Sequence, residues 1–381
     1  MKIRRIIAYR FKSIINLDHS LYDDWQDKVV DGLMLIGPNG SGKSTLLEGI
    51  ASLWEEWGHW LDAVERNQII PVMSSRKRGE PFPLPGRHPV FNQPNFGLLA
   101  VELVDLDPRS PIWLAIGGRD EIADLKQKTR IDESGAYLIA AVGQSRNEQG
   151  CLEEWGLDWP GGPKDTSWLS RWAEQRRRSL LGKPELPNVL YFEPDNRQLL
   201  APRGTLELTQ DLQDPPLFNW IARYAPATRR AGHLSSMLYR MQVTDLGGLE
   251  VILDDINTYL RAKRVEWFAP TGDLEVTIGV DGEQAIKHLV YGLSSGERQV
   301  FIFVAMLRRW LHKGGLVLID EPELHLHPSL RGALMAKLQR IVTEQEGQLV
   351  ITCQSERMWR DYYRRAPERI ELGEQAGVQE E

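Results

Sequence analysis

The chain of 381 residues has only two cysteines, Cys151 and Cys353. They cannot staple a chain of this size, which points to a reducing, cytoplasmic compartment. No run approaches the roughly 18 consecutive apolar residues of a membrane-spanning helix, so no membrane partner is expected. The opening, MKIRRIIAYRFKS, lacks the apolar stretch and small-residue cleavage site of a secretory leader. Positive charge is also short: 46 Lys and Arg against 53 Asp and Glu leave a net charge of −7. That balance excludes a wholesale nucleic-acid coat, though not a local basic groove. Internal repeats, low-complexity tracts and sustained heptads are missing too, and the last of these excludes a coiled-coil rod. What remains is 42% hydrophobic residues, enough core for one large or two ordinary domains.

The stretch LMLIGPNGSGKSTLLEGI joins an apolar strand to a glycine-rich turn and then to a helix. Gly37, Gly42, Lys43 and Ser44 satisfy G-x-x-x-x-G-K-[ST]. In such a turn the backbone N–H groups of Gly37, Pro38, Asn39, Gly40, Ser41, Gly42, Lys43, Ser44 and Thr45 (Pro38 lacking one) curl round phosphate oxygens, which bulky residues would block. Lys43 supplies a point charge for the β- and γ-phosphates of ATP, and the Ser44 hydroxyl is placed for Mg²⁺. The helix that follows presents Leu46, Leu47, Ile50, Leu53, Trp54 and Trp57 at helical spacing, its positive dipole end toward the anion.

A second segment, GGLVLIDEPELHLHP, reads as a short buried strand at Leu316–Ile319 that ends in two carboxylates. Asp320 suits Mg²⁺ held through water, and Glu321 can orient and deprotonate an attacking water. His325 and His327 form an H-x-H pair with no third ligand evident, which favours a structural role over metal binding. Pro328 opens a helix over about 328–345, faced by Leu330, Leu334, Leu338 and Ile341. GQLVITCQS, 347–355, reads as another buried strand whose polar tip, from Thr352 to Ser355, should emerge at the same sheet edge as Asp320.

The third element is GLSSGERQVFIFVAMLRRWL. Ser294 and Glu297 make an S-x-x-E capping box ahead of a helix with Val300, Val304, Leu307 and Leu311 as its core stripe. Ser294, Ser295 and Gly296 are expected to leave N–H and hydroxyl donors free at the helix's positive end, making a second anion site. Taken alone, the segment is an ordinary helix cap.

The order of these motifs resembles that of ABC-type ATPases, most closely the branch containing RecF, SMC heads and the overcoming-lysogenisation-defect (OLD) ATPases. EPELHLHP in particular is similar to the OLD-like group. The resemblance covers about residues 1–60 and 270–360. It implies a fold of α/β class with a mixed central sheet and flanking helices, an N-terminal antiparallel β layer and an inserted, mostly helical lobe. It also implies that the signature loop of one subunit closes over the γ-phosphate on the P-loop of another, so that a homodimer or higher homo-oligomer builds two composite sites. Leu293, Ser294 and Gly296 match the signature, while Ser295 replaces its first glycine and Glu297 its glutamine. FKS, 11–13, falls at a turn near the nucleotide, which makes Lys12 a candidate phosphate or ribose contact. The family's switch histidine falls on Gln354, which can hydrogen-bond but cannot carry a proton, so slow turnover or a binding-driven switch follows. For the lobe-linking sensor, Asn196 and Gln198 are the available polar groups.

The expected organisation is 1–61 for the first half of the ATPase core, 62–164 for β and loop insertions with core strands, 165–268 for the helical lobe and 269–381 for the second half. LEVTIGVDGEQAIKHLV reads as a hairpin with an Asp-Gly turn. The tryptophans, among them Trp54, Trp57, Trp60, Trp113, Trp155, Trp159, Trp168 and Trp172, are expected mostly in the core. EQRRRS (174–179), TRR (228–230) and RAKR (261–264) are basic clusters that read first as solvated helix faces and leave DNA or RNA contact open. The leading functional expectation, by family analogy, is an ATP-hydrolysing dimerising switch that controls a protein effector in trans, in anti-phage defence. A RecF-like ATPase that binds DNA directly is the alternative, and a transporter ATPase subunit ranks behind both.

Overall fold

The computed structural model describes residues 1–67, 88–106, 111–134, 136–158, 175, 186–201, 220–226, 233–260, 263–279, 285–354 and 368–373. The chain opens with β1 (Lys2–Phe11) and β2 (Ile14–Ser20), a short pair β3 (Tyr22–Asp23) and β4 (Lys28–Val29), then β5 (Gly32–Ile36) and α1 (Lys43–Asn67). β6 (Leu98–Val104), β7 (Ile112–Gly118), α2 (Arg119–Thr129), α3 (Ile131–Ser134), β8 (Tyr137–Arg146) and β9 (Leu152–Asp158) follow. The middle holds β10 (Val189–Phe192), β11 (Ile221–Arg223), α4 (Leu234–Thr244), α5 (Leu246–Asn257) and the strands β12 (Lys263–Phe268), β13 (Leu274–Ile278) and β14 (Ile286–Leu289). The end is α6 (Ser295–Trp310), β15 (Leu316–Ile319), α7 (Pro328–Glu344), β16 (Gln348–Cys353) and β17 (Glu368–Glu371).

Two large sheets result. The first runs β2-β1-β6-β7-β8-β9 and is antiparallel except at β7–β8, where α2 and α3 make the crossover that a parallel pair requires. The second runs β11-β10-β15-β16-β5-β17 with every pair parallel. A parallel sheet covered on both faces needs strands that are apolar throughout, and LVLI and QLVITC are of that kind. Leu316, Leu318 and Val350 pack with α1 and the antiparallel sheet, whereas Val317, Ile319, Leu349 and Ile351 pack with α4, α5, α6 and α7. The α1 helix thus lies between the sheets, with Trp54, Trp57 and Trp60 buried. Trp113 is buried as well, and Trp155 is half-buried; Trp159, Trp168 and Trp172 lie outside the described residues. Buried Gln348 ties the sheets together: its side chain accepts from Ile3 N–H at 2.8 Å and donates to the carbonyls of Ile3 at 3.1 Å and Val30 at 2.9 Å.

The described residues of 165–268 hold strands as well as the expected helices. Among them are helices α4 and α5, but β10 and β11 belong to the central parallel sheet, and β12 joins β13 and β14 in a small antiparallel sheet. VLYF and IAR are too short for periodicity to separate buried strand from buried helix, and sheet pairing decides. The expected hairpin is present as β13–β14, with Ile278 opposite Ile286, while its turn at 280–284 lies outside the described residues. So do the basic clusters at 174–179 (Gln175 apart) and 228–230. Of the cluster at 261–264, Lys263 pairs with Glu297 and Arg264 with Glu266. No helix among the described residues is long and apolar enough to cross a membrane.

One buried carboxylate joins three helices. Asp255 on α5 receives Arg308 of α6 at 2.7 Å, Arg340 of α7 at 3.0 Å, and Lys337 of α7. Burial works against the Asp255 charge, yet the bonds from Lys337 and Arg308 hold its pKa below the ordinary carboxylate value. Removing the Asp255 charge leaves buried Lys337 without this counter-charge, while Arg308 and Arg340 keep Glu344. Asp255→Asn should therefore lower stability by about 3 kcal/mol, read as a shift of the denaturant midpoint, with little change in the denaturant slope.

Candidate functional site

Parallel pairing fixes where the polar strand tips fall. In register, Ile319 lies opposite Ile351 and Cys353 opposite Ile36, so the segments after β15, β16 and β5 leave the sheet at one edge. That edge gathers the glycine turn at 37–45, the carboxylates after β15 and the tip after β16.

The turn adopts a backbone that glycine permits: φ is +80° at Gly40 and +98° at Gly42. A Cβ on Gly42 would lie 2.7 Å from Ile14 Cγ1 and 3.1 Å from Ser13 Oγ, so the FKS turn leans directly on the glycine loop. Lys12 sits in that turn with φ +53°, its side chain exposed. Lys43 is 5% exposed, and its ammonium donates to the carbonyls of Gly37 at 2.7 Å and Pro38 at 2.8 Å. Ser44 is exposed at the first turn of α1, and the buried Ser41 hydroxyl has no partner. A loop with left-handed glycines, an unmatched buried hydroxyl and an ammonium bonded only to carbonyls at its base fits a phosphate chain.

Across the edge, Asp320 is 1% exposed and its Oδ1 accepts the hydroxyl proton of Thr352. The same hydroxyl oxygen accepts the Glu321 N–H at 2.8 Å. Glu321 takes φ +49°, a backbone rarely adopted by residues with a side chain. Its carboxylate accepts from the Gln354 side-chain amide, and the Gln354 N–H donates to Glu323 Oε1 at 3.1 Å. Thus Asp320, Glu321, Thr352 and Gln354, read separately in the sequence, form one hydrogen-bonded group; Ser355 lies outside the described residues. Asp320 and the exposed Ser44 hydroxyl are oxygen donors of the kind Mg²⁺ takes with phosphate.

The helix start at 294–297 differs from expectation. The capping box forms in full, with Glu297 N–H on Ser294 Oγ at 3.4 Å and Ser294 N–H on Glu297 Oε2 at 2.8 Å. Ser294 Oγ also donates to Glu297 Oε2 at 2.8 Å, so the Ser294 donors are engaged rather than free. A carboxylate at the third helical position captures them, as a capping box does. Ser295 is exposed at the same helix start, and Gly296 backs onto the loop after β15, where a Cβ would lie 3.0 Å from the His325 carbonyl. Lys263 donates to Glu297 at 2.8 Å. Burial opposes the Glu297 charge, but Lys263 and Ser294 hold its pKa below the usual carboxylate value.

Neither candidate for the lobe-linking sensor reaches the carboxylates. Asn196 donates to Glu193 at 2.7 Å, and exposed Gln198 donates to the Asp195 carbonyl at 3.4 Å. The residue between them reaches the backbone of the carboxylate segment instead: Arg197, 5% exposed, donates from Nη2 to the Glu321 carbonyl at 3.0 Å. An arginine in the polar tip after an apolar strand was its only signal in the sequence.

Residues 278–356 match a family described as "AAA domain, putative AbiEii toxin, Type IV TA system". The match takes in the capped helix, the carboxylate strand and the tip of β16, and it leaves the glycine loop outside. No curated protein is significantly similar in sequence. Among solved structures, the chain is similar to an SMC head bound to the C-winged helix domain of ScpA, at 13% identity over 95% of this chain and 92% of that one, TM-score 0.45. The SMC head domain from Thermotoga maritima is 12% identical over 95% and 92%, TM-score 0.40. An Smc head with an extended coiled coil, bound to the C-terminal domain of ScpA derived from Pyrococcus furiosus, is 11% identical over 94% and 91%, TM-score 0.39. The glycine loop, the carboxylates after β15 and the tip of β16 thus share one edge of the parallel sheet in a mixed α/β fold, and over residues 278–356 the chain is similar to that AAA family.

Proposed function

We propose that the chain binds and slowly hydrolyses ATP with Mg²⁺, and that two copies close on the nucleotide and part after its cleavage. The observation that carries this reading is the bonded group Asp320–Thr352–Glu321–Gln354 on the sheet edge it shares with Lys43. Bound ATP and its metal supply an activated phosphoanhydride and the positive charge that polarises it. The backbone N–H groups of residues 37–45 and the Lys43 ammonium bind the phosphates, with Lys12 reaching them from the adjoining turn. Asp320 and Ser44 hold the metal. Glu321 orients the attacking water and takes its proton, and Gln354 keeps the Glu321 carboxylate aimed.

The second copy supplies Ser294, Ser295, Gly296 and Glu297. With Ser294 committed to the capping box, the donors for the opposing γ-phosphate are the N–H groups of Ser295 and Gly296 and the Ser295 hydroxyl, at the positive end of α6. Lys263 offsets the Glu297 charge, which would otherwise repel that phosphate. By analogy with the OLD-like ATPases that the motifs resemble, the ATP-dependent closure serves to control a toxin or nuclease effector in trans, in bacterial anti-phage defence. The 278–356 similarity to a family described as a putative AbiEii toxin of a type IV TA system is compatible with that setting.

Two substitutions test this reading. Glu321→Gln should cut hydrolysis by at least about 100-fold and trap a nucleotide-bound dimer. Light scattering showing only monomer with saturating ATP and Mg²⁺ would count against closure. Ser294→Arg should abolish hydrolysis while leaving ATP affinity within about threefold of the parent, by calorimetry, because the blocked contact lies across the dimer. Equal loss of both would place the segment in its own copy's site.

A further inference from the structure

Arg197 is given no role in the proposed reaction, yet it is a buried cation bonded to the Glu321 backbone. It lies five residues beyond the end of β10, the strand paired with β15. Its Nη2 holds the Glu321 carbonyl at 3.0 Å, and its guanidinium carbon sits 5.5 Å from the centroid of the Phe303 ring on α6. Nε and Nη1 are buried with no hydrogen-bond partner. On the loop after β15, two residues beyond Glu321, Glu323 is 9% exposed; its Oε1 accepts from Gln354 N–H, and Oε2 is buried without a partner. Burial lowers the Arg197 pKa to about 10, against the opposing pull of Asp320, Glu323 and Glu321, so the group stays cationic at neutral pH.

Packing against Phe303 does not account for this side chain. An apolar residue of similar length would fill the slot without desolvating a charge or leaving N–H groups unmatched. The Glu321 backbone does account for it. A glutamate at φ +49° needs external restraint, and its peptide groups are gripped from both sides: Thr352 Oγ1 takes the N–H at 2.8 Å, and Arg197 takes the C=O. Three carboxylates in four residues, Asp320, Glu321 and Glu323, also repel one another unless a cation lies among them.

We infer that Arg197 is a positioning residue for Glu321: its bond to the Glu321 carbonyl locks the left-handed turn that aims the carboxylate at the shared sheet edge, within the negative field of Asp320, Glu323 and Glu321 together. The inference rests on Glu321 being the base of the proposed ATPase. It makes the segment 193–201 a lever on the reaction, because any shift of that segment is felt at the Glu321 carbonyl through one charge-assisted bond.

The test uses the full chain with Arg197→Met, Arg197→Lys and Glu323→Gln. Arg197→Met should lower kcat for ATP by about 10- to 100-fold with KM changed less than about threefold, since the glycine loop is untouched. In protein without nucleotide, amide exchange over 320–327 should quicken by about tenfold while exchange over 37–47 stays as in the parent. Arg197→Lys retains the charge but not the planar fork, and should fall between parent and Arg197→Met in both readouts. Glu323→Gln should quicken exchange over 320–327 more weakly than Arg197→Met. Unchanged exchange over 320–327 in Arg197→Met overturns the inference, as does a general loss of protection with kcat per folded molecule intact. If Arg197→Met does not fold, parental kcat and exchange in Arg197→Lys overturn it instead. A parent that fails to turn over ATP, with exchange still quickened in Arg197→Met, leaves the positioning role standing and removes the ATPase reading.

Discussion

A single hydroxyl, Thr352 Oγ1, links what two strands contribute to the site. It donates to Asp320 and accepts the Glu321 N–H, so the last residues of β15 and β16 are held by one atom. The bond exists only because the strands are parallel and in the register that sets Ile319 opposite Ile351. A slip of one residue would turn Thr352 to the opposite face of the sheet and separate the carboxylates from their partners. Burial alone would tolerate such a slip, because Val317, Ile319, Leu349 and Ile351 on one face and Leu316, Leu318 and Val350 on the other are all apolar. The polar ends of β16, Gln348 bonded to Ile3 and Val30 and Thr352 bonded to Asp320, are what a slip would displace.

Short apolar runs with a polar end made most of this edge legible in the sequence. LVLID and LVITCQ say where a strand stops and which residue stands at its tip, and the glycine spacing of 37–45 names the loop they must meet. The capping box at Ser294 and Glu297 was legible for the same reason, being local. Its consequence was not. Whether Ser294 keeps a donor for an outside anion depends on the Glu297 rotamer, and Lys263, 34 residues away in the chain, influences that rotamer. The sheet placement of the short strands in 165–268 was hidden on a different ground: β10 enters the central sheet by pairing with β15, 127 positions later, β11 pairs in turn with β10, and such pairing leaves no periodic trace in three or four residues. Arg197 was hidden by both effects, since an arginine after a short strand looks solvated until the sheet places it under Glu321.

The residues that depart from the family pattern share one property. In the resemblance to ABC-type ATPases, Gln354 takes the place of the switch histidine and Glu297 that of the signature glutamine, and each is bonded to a charged group, Glu321 and Lys263 respectively. A histidine at 354 would exchange a proton with its surroundings, but a glutamine can only orient, so in the proposed reaction proton transfer would fall to Glu321 alone. That raises the demand on how Glu321 is held. Its peptide is fixed at the N–H by Thr352 and at the C=O by Arg197, and its carboxylate by Gln354. Three restraints on one side chain fit a site that relies on orientation more than on proton relay.

The helical side of the molecule connects to this group through α6. Its first turn carries Ser295 and Gly296, its middle presents Phe303 to Arg197, and its last turn binds Asp255 through Arg308. A rigid helix with its start at the signature segment, its centre against the cation behind Glu321 and its end in a buried ion cluster cannot shift at one place alone. Asp255 also binds Lys337 and Arg340 of α7, the helix that begins just after the carboxylate loop. Any partner that moves α5 therefore acts on α6 and α7 together.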